Sequence, residues 1–73
     1  MKQISKSRII FAKQVRKQRK EKSIRLEDLQ EATQLSYSYL CMVENGKANI
    51  SIDNAHEIAE CLGVPLATLF IDH

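Results

Sequence analysis

The feature that most restricts the fold of this chain is the spacing of its apolar residues. They recur at intervals of three and four, and no segment alternates for long with period two. Ala55, Ile58, Ala59 and Leu62 show the pattern best, as one face of a helix. Glycine and proline are confined to Gly46, Gly63 and Pro65, which leaves long uninterrupted stretches for helices. The spacing predicts an all-α fold of five helices, at about residues 5–22, 26–33, 37–44, 52–62 and 66–70. Ser5 or Ser7 caps the first, Ser36 the third and Ser51 the fourth. Phe11 and Val15, four apart, make the buried stripe of the first helix, with Ile10 and Ala12 beside them. Glu27 and Asp28 fall in the first turn of the second, where the helix dipole favours acids. Gly46 and Gly63 end the third and fourth helices in left-handed conformations. Pro65 opens the last. With 73 residues, the chain is read as a single domain spanning 1–73. A chain of this size buries only about 60% of its unfolded surface, so association with a second copy is a common source of added stability.

Charge is divided along the chain. Residues 1–25 hold ten of the eleven Lys and Arg against Glu21 alone, a net of +9; residues 26–73 hold Lys47 against eight acids, a net of −7. A basic end of this kind points to a polyanionic partner, with a solvated basic helix as the plainer explanation. Cys41 and Cys61 lack CxxC spacing and are read as two reduced thiols, not a disulfide or a zinc site. No apolar run is long enough to span a membrane. The N-terminus has no apolar core followed by a small-residue cleavage site, so no signal peptide is expected and the expected location is the cytoplasm.

Two short helices separated by a break at Gln34–Leu35 form a helix-turn-helix candidate. On the third helix Leu40 and Val43 face inward, and Tyr39 flanks them. The outward face is then Tyr37, Ser38, Cys41 and Met42, with Asn45 just beyond. Glu44 ends this helix, where the dipole disfavours a negative charge, so a buried Glu44 needs a cationic partner.

The segments "VRKQRKEKSIRLEDL" and "LSYSYLCMVENGKANISIDNAHEIAECLGVPLATLF" resemble the XRE family of phage-repressor-like helix-turn-helix proteins. The resemblance covers about residues 11–70. Its most specific pieces are Arg19, Glu44-x-Gly46, Ser51-Ile52, Ile58-Ala59, and Leu62-Gly63-Val64 followed by Leu66 and Leu69. It implies a compact lambda-repressor-like domain, acting on double-stranded DNA as a transcriptional regulator, with the third helix in the major groove. It also implies a buried Arg19–Glu44 ion pair tying helix 1 to helix 3. In the family the positions of Tyr37, Ser38, Cys41 and Met42, with Asn45 just beyond, enter the major groove; Ser36 stands beside them, and Asn45, Lys47 and Asn49 are candidates for phosphate contacts. The chain departs from the family in having Arg25-Leu26 where Thr-Gln is usual, Gln30 for a small Ala, Gln34 for the turn Gly and Ile50 for a Pro. Arg25 is placed to replace the missing Gln as a phosphate ligand. Family members usually pair on two half-sites, and "LFIDH" offers Leu69, Phe70 and Ile71 for a homodimer interface. A chain this small resembles stand-alone phage repressors and restriction–modification controller proteins.

The outward face of helix 3 lacks the Arg, Lys and Gln that read guanine and adenine bidentately, and Asn45 just beyond it offers the one amide. Such a face favours thymine methyl groups, through Met42, Cys41 and the Tyr37 ring, with single hydrogen bonds from Ser38 and Tyr37. The alternative is an apolar patch for a protein partner, as in an antitoxin-like module that has lost DNA reading. His56 and His73 are the only histidines, and neither sits at metal-ligand spacing. No nucleophile–base pair, phosphate loop or paired carboxylates stand out. An enzyme, a metal and a cofactor are accordingly not expected.

Overall fold

The computed structural model describes residues 5–72. Four α-helices follow one another, α1 (Lys6–Glu21), α2 (Leu26–Thr33), α3 (Tyr37–Glu44) and α4 (Ile52–Leu62), and a 3₁₀ segment (Leu66–Phe70) closes the chain. No strand occurs among the described residues. The fifth element is thus not an α-helix, which corrects the five-helix expectation. Five residues between Pro65 and an extended Ile71 leave little room for an i→i+4 ladder. The segment closes instead through i→i+3 bonds from Thr68 N to Pro65 O and from Ile71 N to Thr68 O.

The helix starts have local causes. The hydroxyls of Ser5, Ser36 and Ser51 accept hydrogen bonds from the backbone N–H three residues on, at 3.2, 3.1 and 3.0 Å. At the far end of α4, Gly63 takes φ 71°, the left-handed conformation glycine tolerates best. Two residues with a side chain also adopt it, Ser23 after α1 and Gln34 after α2, with φ 56° and 64°.

The core draws on every element. Phe11 and Val15 of α1 meet Leu29, Leu40 and Val43, together with Ala55, Ile58, Ala59 and Leu62 of α4 and Leu69 of the 3₁₀ segment. α1 packs on α3, α4 and the 3₁₀ segment, and α2 packs on α3 and α4. The Phe11 and Phe70 rings lie 5.1 Å apart at 34°. Ile10, expected beside the buried stripe, is only half-buried; Gln14 is buried instead. Its Oε1 has no hydrogen-bond partner among the described residues. The Lys22 ammonium donates to the Leu62 carbonyl and so caps the C-terminal end of α4 from the end of α1. None of the described helices is long and apolar enough to cross a membrane.

Candidate nucleic-acid interface

The surface that could meet DNA is built on α2, the turn after it and α3. Thr33 fastens the turn. Its hydroxyl donates to Leu29 O at 2.6 Å and accepts from Leu35 N at 3.3 Å. Gln34 supplies the left-handed residue, and its Nε2 donates to Glu31 O at 2.9 Å. This local bond offsets part of the strain of placing a non-glycine residue there. Ser36 then starts α3.

Leu40 and Val43 of α3 are buried, and Tyr39 is half-buried against the core. Tyr37 and Met42 are each 46% exposed. Ser38 and Ser36 are exposed and Cys41 is half-buried. Tyr37, Ser38, Cys41 and Met42 therefore leave groups at the surface of α3. The Ser36 oxygen is already an acceptor for Tyr39 N, but its O–H remains able to donate.

α3 is anchored at its C-terminal end. Arg19 Nε and Nη2 donate to the two oxygens of Glu44 at 2.6 and 3.1 Å, and Nη1 donates to Ile24 O at 3.0 Å. The two side chains are 14% and 8% exposed, so the pair is largely withdrawn from water. The bond to the Glu44 carboxylate holds the Arg19 guanidinium above its ordinary value.

The expected phosphate ligands do not form one set. Arg25 is exposed at the cap position of α2, but its guanidinium lies 3.4 Å from Asp28 Oδ1, and its backbone N–H donates to Asp28 Oδ2 at 2.9 Å. The backbone bond, then the guanidinium, holds the Asp28 carboxyl below its ordinary value. A phosphate would share Arg25 with Asp28. Asn45 is exposed, yet its Nδ2 donates back to Cys41 O at 2.8 Å and closes the end of α3. Lys47 and Asn49 are exposed on the loop after α3.

For a dimer interface, Leu69 is unavailable because it is fully buried in the core. Phe70 and Ile71 are 39% and 47% exposed. Ile52, at the start of α4, is 68% exposed, and it lines a groove of about 210 Å³ with Phe11, Ile50, Ala55 and Phe70. Ile52 was not among the expected interface residues. Its outward position follows from the α4 wheel, on which Ala55, Ile58, Ala59 and Leu62 claim the inner side. His56 pairs with Glu60 at 3.2 Å on the exposed side of α4. No group of residues able to hold a metal occurs among the described residues. Lys2 of the basic end and His73 lie outside the described residues.

A family model described as helix-turn-helix matches residues 15–69. The control protein C.MunI of Mycoplasma sp is 36% identical over 66 residues, covering 89% of each chain. Among solved structures, the restriction-modification controller protein C.AhdI from Aeromonas hydrophila superposes with a TM-score of 0.82 at 30% identity, over 86% of this chain and 96% of that one. The hypothetical transcription factor NHTF from Neisseria gives 0.85 at 27% identity, over 97% and 82% of the two chains. The clp gene regulator ClgR from C. glutamicum gives 0.82 at 26%, over 89% and 84%.

Proposed function

Since the chain belongs to the XRE-type helix-turn-helix family, a family of regulators and not of enzymes, we propose that it is a sequence-specific transcriptional regulator that binds double-stranded DNA as a homodimer. The reading places α3 in the major groove. It is carried by one observation: α3 is pinned by the part-buried Arg19–Glu44 pair while Tyr37, Ser38 and Met42 stay exposed on its outer side. A helix presented this rigidly can hold a few groups at base-edge distance. Those groups are a phenol, a hydroxyl and a thioether, with the Cys41 thiol beside them. Direct readout is therefore sparse and biased towards thymine methyls. DNA shape and the spacing of two half-sites supply the rest of the specificity.

The dimer is assigned to the apolar surface of Ile52, Phe70 and Ile71, which supports a self-complementary two-fold contact. Phosphate contacts from Arg25, Lys47 and Asn49 supply affinity and orientation without sequence information. The named controller relatives support control of a restriction–modification system as the regulatory role. The chain would then act as one domain in the cytoplasm, and its own upstream DNA is the natural first operator.

Titration of that DNA against random competitor, at low and physiological salt, tests the reading. Competitor-resistant binding that weakens as salt rises is the expected result. Binding erased by competitor would remove the sequence-specific part of the reading. No binding at low salt would overturn it entirely and favour a protein partner.

A further inference from the structure

Arg16 stands on α1, outside the α2–turn–α3 unit, yet it borders the outer face of α3. A cleft of about 200 Å³ separates α1 from α3 and the start of α2, lined by Arg16, Arg19, Leu26, Cys41, Glu44 and Asn45. Most polar groups in this lining are already committed. Arg19 turns three of its five donors to Glu44 and to Ile24 O, and each Glu44 oxygen accepts one of them. Their charges cancel. The Asn45 amide is turned back to Cys41 O. The charge left uncompensated in this lining is the Arg16 guanidinium, exposed and without an ion pair among the described residues. The cleft thus carries one net positive charge, on a planar group with five donors suited to a phosphate oxygen pair.

Its placement decides the ligand. The cleft opens beside Cys41 and Asn45, at the edge of the face that carries Met42. Lys13 and Lys20 lie three residues before and four after Arg16, on the same exposed side of α1. A duplex lying on α3 would bring one of its backbones along this edge.

We propose that the cleft is a seat for one DNA backbone phosphate, with Arg16 as its ligand, so that α1 and α3 grip the strand beside the groove from two helices. This rests on the DNA-binding reading above. It assigns α1 a fixed contact and not only a diffuse attraction.

The test compares Arg16→Ala, Arg16→Lys and Lys17→Ala with the parent protein on the upstream duplex, over a range of salt. Urea unfolding of each variant checks that it folds alike. Arg16→Ala should weaken binding about tenfold per half-site, and so about a hundredfold for the dimer, as expected for loss of a hydrogen bond to a charged group in each copy. The loss should be equal on operator and on random DNA, because a phosphate carries no sequence information. Both copies of a bound dimer lose the contact, so the slope of log affinity against log salt should become shallower by about 1.8, at about 0.9 per phosphate. Arg16→Lys should recover the slope but only part of the affinity. Lys17→Ala should change both by less than half as much. Neutral methylphosphonates are then placed one at a time along the duplex. One position per half-site should weaken the parent and leave Arg16→Ala unaffected. An unchanged slope in Arg16→Ala, or equal losses in Arg16→Ala and Lys17→Ala, overturns the seat while leaving the DNA-binding reading intact. Failure of the parent to bind DNA at low salt overturns both.

Discussion

Replacing Arg19 by Met should be among the most costly single changes available in this chain. The substitution deletes three hydrogen bonds and leaves the Glu44 carboxylate, 8% exposed, without its counter-charge. It also leaves the Ile24 carbonyl without its side-chain donor. Breaking a buried pair from one side costs about 3–5 kcal/mol. The residual exposure of both partners argues for the lower half of that range. A domain of 73 residues is held by roughly 4–11 kcal/mol at typical values per residue, so the variant should lose a large share of its stability. Urea unfolding followed by circular dichroism measures this, as a fall in midpoint at constant slope. The double variant Arg19→Met/Glu44→Leu separates the causes. Removing both charges abolishes the stranded carboxylate, so most of the loss should return. A remainder of about 1 kcal/mol belongs to the Ile24 carbonyl. A loss under about 1 kcal/mol in Arg19→Met would mean a pair that behaves as a surface ion pair, and the anchoring of α3 to α1 would be refuted. A double variant as unstable as the two single losses added would refute it equally.

Other consequences follow from the same contacts. Ser23→Gly should raise the urea midpoint by an equivalent of about 1 kcal/mol, since φ 56° strains any residue with a Cβ, and a lower midpoint would mean that the serine hydroxyl matters more than the strain. Gln14→Met should also stabilise, by about 1 kcal/mol, because it removes a buried amide oxygen with no partner; a loss of stability would show that the amide is satisfied in solution. The Asp28 carboxyl is held low in the folded chain, so its contribution is present above the usual carboxyl range and is lost as pH falls through the folded value. The difference in melting temperature between the parent and Asp28→Asn should therefore be largest at neutral pH and close below about pH 4, and a constant difference would count against the assignment. Tyr37→Ala and Met42→Ala should blunt the response to uracil in place of thymine in the operator, and an undiminished response in both would remove the thymine bias.

The elements whose causes are local could be read from the chain. Ser36 and Ser51 stand directly before α3 and α4, and Gly63 directly after α4, so the signal for each end lies within three residues of it. The outer face of α3 is similarly open to a helical wheel, because Leu40 and Val43 leave little doubt about the inner side. The 3₁₀ form of the last element was less legible, since Pro65 marks where it begins but nothing in the sequence marks Ile71 as the extended residue that limits it to five residues. Side chains that reach across the fold were not legible at all. Nothing near Lys22 in the sequence points to Leu62 O, and nothing near Gln14 marks it as buried. Asn45 looked free because its acceptor is the carbonyl of its own helix. Arg25 reads as free in the sequence because a place in the first turn of α2 already accounts for Asp28. These contacts withdraw the Lys22 ammonium, Gln14 and one Asn45 donor from the groups that could meet DNA and leave Arg25 shared with Asp28, which makes Arg16 more prominent than its place outside the helix-turn-helix would suggest.

The central claim is that two copies of this chain read two half-sites, each through α3. A hydroxyl-radical footprint on the upstream duplex, at protein concentrations that resist competitor DNA, tests it most directly. Two protected windows on one face of the duplex, about one helical turn apart and related by a two-fold axis, are the expected result. A single window, or even protection along the whole duplex, would contradict the account.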